Sequence, residues 1–162
     1  MISDTTSIIF SIVLVALGVF CSWLLHYRRE FLLPKIYLGV AVNYIIWVLA
    51  LIVMRFVPQD NLTYLYILDS ITNIGASTMP VLCLLIALAF VKNWETLPKK
   101  ALWLFAVPLL TIIIVWTNPL HHIYYVNFSV VRSEIVFGPY IYFSGLYNYV
   151  CMALGIVMMA RF

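Results

Sequence analysis

Five long apolar stretches, separated by short polar segments, constrain this chain more than any other feature of its sequence. They are predicted at residues 7–27, 36–57, 62–91, 101–116 and 140–160. Stretches of about 20 apolar residues have the length of an α-helix that crosses the hydrocarbon core of a bilayer. The alternation expected of a membrane β-barrel is absent from them. The sequence therefore predicts an all-α membrane protein, a five-helix transmembrane bundle that forms a single domain over residues 1–162.

Composition supports this fold class and excludes several classes of function. Hydrophobic residues make up 65% of the chain and charged residues 9%, which excludes an ordinary soluble domain. The basic residues are scattered at the predicted helix ends, so no nucleic-acid surface is expected. The sequence has no P-loop, GxSxG or HExxH motif and no carboxylate pair suited to acid–base work. The cysteines lie in apolar stretches without metal-ligand spacing, so we expect no catalytic residue, metal site or cofactor.

The distribution of positive charge predicts the orientation of the bundle. One set of loops and helix ends holds Arg28, Arg29, Lys35, Lys92, Lys99, Lys100 and Arg161. The opposite side holds only Arg55 and Arg132. Because cytoplasmic loops carry the excess of Lys and Arg, we expect the N-terminus outside the cell and the C-terminus in the cytoplasm.

The third stretch, residues 62–91, carries the most polar helix face. Its members recur at helical spacing and are Asp69, Thr72, Asn73, Ala76, Ser77 and Pro80. A polar face is costly against lipid, so it is expected to point into the bundle. A carboxylate two turns into a span must be hydrated, protonated or paired, so Asp69 indicates a wet cavity or a functional site. The competing interpretation is that the span begins late and Asp69 lies at the interface.

Two further residues inside the spans predict local features. Pro80 predicts either a kink or the end of a helical half, because proline cannot donate to the preceding turn. Asn43 is a lone amide in the second stretch, and we expect it to hydrogen-bond another helix and act as structural glue.

A polar turn, Trp116-Thr117-Asn118-Pro119-Leu120-His121-His122, follows the fourth stretch. Pro119 argues against an uninterrupted helix, because it lacks an N–H and its ring clashes with the preceding turn. Trp116 suits the membrane interface. Two interpretations remain open for the turn. It is either an interfacial turn with two solvated histidines, or the mouth of a ligand pocket formed by Trp116, Asn118, His121 and His122.

The segment from Asn118 to Phe137 is long for a connection between helices. Residues 124–131 alternate as in a strand, and Arg132-Ser133-Glu134 is suited to turning the chain back. We therefore expect a short extracellular β-hairpin between spans four and five. The fifth span presents a stripe that includes Tyr147 and Asn148, which is a candidate pocket wall, with ordinary core packing as the alternative.

Two segments together resemble a known family. The turn from Trp116 to His122, and further along Phe137-Gly138-Pro139-Tyr140-Ile141-Tyr142-Phe143 with Tyr147 and Tyr149, resemble the N-terminal seven-transmembrane sensor region of bacterial histidine kinases. The resemblance extends over span three with its proline and the basic loop after it. It implies seven spans, of which these are the first five, an outside N-terminus, and a cytoplasmic kinase or diguanylate cyclase output. That family usually carries His a few residues after the Gly-Pro pair, where this chain has Ser144.

The leading hypothesis is a signal-sensing membrane domain of a bacterial receptor in the inner membrane, which works as a homodimer by analogy with the family. An unknown small ligand would enter from outside or from the outer leaflet. The expected ligand-binding residues are Asp69, Asn73, Trp116, Asn118, His121, His122, Tyr147 and Asn148. Binding would shift the bundle between two packings and move its cytoplasmic ends. Two alternatives stay open: a small transporter or channel-like protein with Asp69 as a proton or cation site, and a purely structural membrane subunit.

Overall fold

Helices and a small sheet make up the fold, which is a computed structural model that describes residues 4–27, 31–129 and 131–162. The helices are α1 (Asp4–Tyr27), α2 (Leu32–Met54), α3 (Leu62–Val91), α4 (Ala106–Trp116), α5 (Asn118–His121) and α6 (Tyr140–Ala160). Two 3₁₀ helices occupy Lys99–Phe105 and Arg132–Glu134, and two strands are β1 (Tyr125–Asn127) and β2 (Val136–Phe137). The predicted all-α membrane fold class is confirmed, together with the short hairpin that follows the fourth span.

Among the described residues, four helical stretches are long and apolar enough to cross a membrane, namely Leu32–Met54, Leu62–Val91, Lys99–His121 and Tyr140–Ala160. A shorter apolar helix, Ile12–Leu24, lies within α1. The fourth stretch is longer than predicted, because the chain continues past Trp116 into α5. Pro119 lies in the first turn of α5, where the missing N–H leaves no hydrogen bond unmade.

The longest helix, α3, packs against α2, α4 and α6. It begins after Asn61, whose side chain accepts a hydrogen bond from the backbone N–H of Tyr64 and so satisfies one of the free donors of the first turn. The main apolar core lies around its second half and comprises Ile36, Val81, Leu84, Leu85, Ala89, Ala101 and Cys151. α3 is therefore the helix against which α2, α4 and α6 all pack.

The seam between α2 and α3 is held by a buried amide. Asn43 donates to the backbone oxygen of Gly75 at 3.1 Å and accepts from the hydroxyl of Thr78 at 2.9 Å. Gly75 lies so close to Trp47 that an added Cβ would stand 2.8 Å from the Cβ of the tryptophan. The prediction that Asn43 finds an interhelical partner is confirmed.

Half of the polar face of α3 is fully buried, and Asp69 and Asn73 on the same face are partly buried. Thr72, Ser77 and Pro80 are buried, whereas Ala76 is exposed, so the expectation for Ala76 was wrong. The hydroxyls of Thr72 and Ser77 donate to backbone oxygens of their own helix, at 2.8 and 2.7 Å, which satisfies them without a partner helix. Pro80 lies inside a continuous helix and does not end a helical half.

The segment between α5 and α6 folds back over one end of the bundle. β1 and β2 pair in antiparallel fashion, with Tyr125 opposite Phe137 and Asn127 opposite Val136. The 3₁₀ helix Arg132–Glu134 turns the chain between them, at the position where the sequence predicted the turn. Val130, which belongs to the predicted alternation, lies outside the described residues. We call residues 122–139 the cap.

Candidate functional site

The cap is anchored to the bundle by the side chain of Asn118, which is 4% exposed. Its amide nitrogen donates to the backbone oxygen of Tyr125 at 2.9 Å. Its oxygen accepts from the backbone N–H groups of Tyr124 and Tyr125, at 2.8 and 3.0 Å. One side chain therefore satisfies three backbone groups at the start of the cap that would otherwise be buried unpaired.

The other end of the cap is fixed by Gly138. A Cβ at this position would lie 2.0 Å from the backbone oxygen of Ile123, so only glycine fits. The N–H of Gly138 donates to the backbone oxygen of Tyr124 at 2.7 Å, and the N–H of Tyr140 donates to that of Ile123 at 3.2 Å. The Asn118-Pro119 and Gly138-Pro139 pairs thus bracket the cap, and Asn118 and Gly138 hold its two ends together.

The cap closes onto α3 through four side chains, which we call the tyrosine lock: Asp69, Asn73, Tyr124 and Tyr125. The hydroxyl of Tyr125 donates to Oδ2 of Asp69 at 2.7 Å. The hydroxyl of Tyr124 donates to Oδ1 of Asn73 at 2.6 Å. The amide of Asn73 also donates to Oδ2 of Asp69 at 3.0 Å, so the two helical residues and the two cap residues form one network.

Aromatic rings surround the lock. Tyr66, one turn before Asp69 on α3, donates its hydroxyl to the backbone oxygen of Val115. The ring centroid of Tyr66 lies 6.4 Å from that of Tyr125 and 5.2 Å from that of Phe128. The Tyr125 and Phe128 centroids are 5.5 Å apart. Edge-to-face contacts of this kind add to the area that the rings bury, so α3, α4 and the cap share one aromatic cluster.

The pKa values of both cap tyrosines are raised. For Tyr124, burial is the larger cause and the charge of Asp69 adds to it, which raises the pKa to about 12. For Tyr125 the same two causes act in the same order and raise the pKa further. An exposed tyrosine has a pKa of about 10. Both phenols are therefore protonated at physiological pH and serve as hydrogen-bond donors to the α3 side chains.

The two histidines and Trp116 are not members of the lock. The ring of His121 lies between the hydroxyl of Thr117, at 3.0 Å, and the backbone N–H of Ile123, at 3.1 Å, so it fastens the end of α5. His122 is exposed and takes a left-handed backbone conformation with φ of 54°, which turns the chain from α5 into the cap. Trp116 is 47% exposed.

The candidate wall on α6 belongs to another part of the bundle. Tyr147 donates its hydroxyl to the backbone oxygen of Leu104 at 2.6 Å and packs against the main apolar core. Leu104 belongs to the 3₁₀ helix that begins the fourth span, at the end opposite to the cap. Asn148 is partly buried on the same helix. Of the eight residues predicted to bind ligand, the structure brings Asp69 and Asn73 into contact. Asn118 bonds the backbone of the cap tyrosines that reach them, and Tyr147 lies apart.

Sequence reasoning missed the tyrosines that complete the site. Tyr124 and Tyr125 were interpreted as alternating strand residues, which would point to opposite faces. Tyr124 instead precedes β1, and both hydroxyls reach α3 at residues one turn apart. The feature of the sequence that could have identified them is the pair of adjacent tyrosines directly after the polar turn. Within the described part of the chain, no group of three His, Cys, Asp or Glu residues could hold a metal ion.

A comparison with protein families accounts for most of the chain. The family model described as the N-terminal 7TM region of histidine kinase matches residues 7–162. No curated protein and no solved structure matches the chain.

Proposed function

Because the chain belongs to the family of N-terminal 7TM regions of histidine kinases, which are membrane sensing domains without catalytic residues of their own, we propose that it is a ligand-controlled switch. A small ligand, arriving from outside the cell or from the outer leaflet, binds at the tyrosine lock. Binding changes the contact between the cap and α3. The change is relayed along the bundle to a cytoplasmic output domain of the histidine kinase or diguanylate cyclase type.

The observation that carries this proposal is the hydrogen bond from the cap Tyr125 to Asp69. Asp69 is a carboxylate in a candidate span, and ionisable groups inside spans are costly and usually functional. A lock of this kind gives two arrangements, closed and open, which a ligand can favour by binding one of them better. From Asp69 to Val91, α3 extends about 33 Å at 1.5 Å per residue, so a shift of α3 at the cap reaches the far side of the membrane.

The orientation in the proposal rests on charge. The excess of Lys and Arg lies on the side of the loop that joins α3 to the fourth span, which the positive-inside rule assigns to the cytoplasm. The cap then faces outward, in the position of a receptor surface. We propose accordingly a multi-pass protein of the bacterial inner membrane that works as a homodimer, since kinases of this family act as dimers.

The proposal is tested with the full-length protein reconstituted in nanodiscs, with autophosphorylation or cyclic-dinucleotide synthesis as the readout. We expect Asp69→Asn and Tyr125→Phe each to change the basal output. A hydrogen bond to a charged group contributes about 1.5–3 kcal/mol, so the ratio of the two states should shift by about tenfold or more.

The matched control is Tyr142→Phe, because Tyr142 lies on α6 and is 75% exposed. Its loss of a phenol should leave the output unchanged. If all three variants gave the output of the parent protein while inserting normally, the lock would have no part in signalling and the proposed function would be refuted.

A further inference from the structure

His121 lies at the junction between α5 and the cap, and both of its ring nitrogens have hydrogen-bond partners. Nδ1 accepts from the backbone N–H of Ile123 at 3.1 Å, and Nε2 lies 3.0 Å from Oγ1 of Thr117. The hydroxyl of Thr117 already donates its hydrogen to the backbone oxygen of Ile113 at 2.7 Å, so it accepts from Nε2. The hydrogen-bond network therefore assigns the neutral tautomer with its hydrogen on Nε2 and a free lone pair on Nδ1.

The bond to Nδ1 closes over an unfavourable turn. His122, the residue between the two that it joins, has φ of 54°, a left-handed conformation that costs energy in a residue with a Cβ. The N–H of His122 donates to the backbone oxygen of Asn118 at 2.8 Å, and the bond from Ile123 to the ring of His121 holds the other side. These two bonds set the direction in which the chain leaves α5.

Ile123 links this turn to the rest of the cap. Its backbone oxygen accepts from the N–H of Tyr140 at the start of α6, at 3.2 Å. The next residue is Tyr124, whose hydroxyl donates to Asn73 on α3 at 2.6 Å. The bond at His121 is therefore one residue away from the tyrosine lock, and its loss would free the backbone that positions Tyr124.

Protonation of the ring is incompatible with this bond. A free imidazole takes up its second proton at about pH 6.5, and His121 is partly exposed at the cap end of the bundle. A proton on Nδ1 turns this nitrogen into a donor that faces the N–H of Ile123. Because the open turn can bind a proton that the closed turn excludes, acid favours the open turn. The bond is thus present at neutral and alkaline pH and is lost as the pH falls.

The neighbouring titratable groups have other partners. α4, which packs against α5, contains no titratable residue. The carboxylates of Asp69 and Glu134 accept hydrogen bonds from α3 and from the cap, and the phenol of Tyr140 bonds a hydroxyl of α4. Burial raises the pKa of Tyr124 to about 12, so it keeps its proton in acid. The exposed His122 is the one neighbour with the same chemistry, and it provides the control.

We propose that His121 is a proton-operated latch, which holds the cap while its ring is neutral and loosens the cap when acid outside the cell protonates Nδ1. The released turn at His122 lets the backbone of Ile123 and Tyr124 move, so the contact between the cap and α3 weakens. The loosening of the cap stands on the geometry alone. Its effect on an output domain rests on the function proposed above.

The test follows cap opening in the full-length protein in nanodiscs, as the rate of limited proteolysis between α5 and α6 at about pH 8 and about pH 5. The reference is His121→Asn, because the amide oxygen of asparagine can replace Nδ1 as the acceptor for Ile123 but takes up no proton. The two proteins should be cleaved alike at the higher pH. At the lower pH the parent should be cleaved about two- to tenfold faster, the weight of one hydrogen bond in the opening equilibrium. Comparison at the same pH cancels the pH dependence of the protease.

His121→Gln is the opposite variant. Its amide can still donate to Thr117 but offers no acceptor at the position of Nδ1, so it should be cleaved as fast as the acid form of the parent at both pH values. His122→Asn is the matched control, because asparagine tolerates the left-handed conformation and removes the neighbouring imidazole. This variant should keep the pH response of the parent.

Three results would overturn the latch. One is a parent protein cleaved at the same rate as His121→Asn at both pH values. Another is a pH response that is lost in His122→Asn but kept in His121→Asn. If His121→Asn did not fold, His121→Gln would still decide, because the difference between this variant and the parent should vanish in acid, and a difference independent of pH would contradict the proposal.

The latch and the proposed function fail in different ways. If acid loosened the cap of the parent but neither His121→Asn nor any lock variant changed the kinase or cyclase output, the latch would stand and the signalling role would be refuted. If cleavage did not depend on pH while Asp69→Asn and Tyr125→Phe still changed the output, the latch would be wrong and the switch would stand. The output of the parent is compared with that of His121→Asn at each pH, since both carry the same output domain.

Discussion

At the residue scale, Asn118 has the largest local effect on the candidate site. Its amide hydrogen-bonds the backbone of Tyr124 and Tyr125 in three places, and this fixes where both phenols point. The lock therefore depends on a residue that does not contact Asp69. This explains why a turn containing asparagine and proline precedes the cap, since Pro119 begins α5 and Asn118 holds the strand that follows.

We predict that Asn118→Ala destabilises the cap by about 3 kcal/mol, because buried backbone groups lose their partners at about 1–3 kcal/mol for each unsatisfied group. The measurement is the rate of limited proteolysis between α5 and α6, together with the unfolding temperature. Asn127→Ala is the control in the same segment. The Asn127 side chain makes one exposed hydrogen bond, to the backbone of Glu134, and its loss should cost less than about 1 kcal/mol. Equal effects of the two variants would contradict the anchoring role of Asn118.

At the element scale, α3 makes close contacts with two neighbouring helices, α2 and α6, and the two contacts differ. Towards α2 it approaches closely at Gly75, beneath Trp47, and is held by the amide of Asn43. Towards α6 the close approach is at Gly155, where an added Cβ would be 3.6 Å from the Cα of Leu84. Without a hydrophobic driving force between helices in lipid, small residues and interhelical hydrogen bonds determine such seams. These two contacts fix how α2 and α6 sit against α3, the helix that carries Asp69 and Asn73.

We predict that Gly75→Ala separates α2 from α3 and destabilises the protein by about 1–3 kcal/mol, the usual cost of overpacking a close contact. Gly145→Ala is the matched control on α6, because nothing lies within 4 Å of an added Cβ there. Alanine is the better helix former by about 1 kcal/mol, so this variant should be neutral or slightly more stable. Thermal unfolding in detergent compares the two. A Gly75→Ala protein as stable as the parent would show that this seam tolerates a wider spacing.

At the scale of the whole molecule, the cap and the basic loop lie at opposite ends of α3. The cap contacts its first turns through the lock, and the segment with Lys92, Lys99 and Lys100 follows its last turn. The helix is 30 residues long, which is more than the roughly 20 residues that cross a bilayer core.

We predict that a cysteine introduced as Asp60→Cys or Ser133→Cys reacts with a membrane-impermeant thiol reagent added outside intact cells, whereas Glu95→Cys reacts only after the cells are opened. All three positions are exposed. The parent protein is the control, since Cys21 and Cys151 are buried and Cys83 is partly buried within α3. The reverse labelling pattern would place the cap in the cytoplasm and would remove the basis for an external ligand.

Much of the fold could be predicted because hydropathy is a local property of the chain. A stretch of apolar residues must form a helix in a bilayer whatever its neighbours are, so the positions of the helices follow from the sequence. The polar face of α3 followed from helical spacing, and the partner of Asn43 followed from the cost of a bare amide in hydrocarbon. The hairpin in the cap could be predicted from the strand-like alternation of residues 124–131 and from the turn at residues 132–134.

The site depended on the tertiary structure, because it joins residues that are far apart in the chain. Asp69 and Tyr125 are brought to 2.7 Å by the closure of a cap whose two ends meet at Asn118 and Gly138, and no local pattern encodes that closure. Tyr147 has the ring and hydroxyl group of a typical pocket residue. However, the orientation of α6 about its own axis directs this hydroxyl to the backbone oxygen of Leu104. Rotations of helices about their axes are determined by packing between elements. The sequence by itself therefore determined a membrane bundle with a carboxylate in its third span, and only the packing decided which side chains surround that carboxylate.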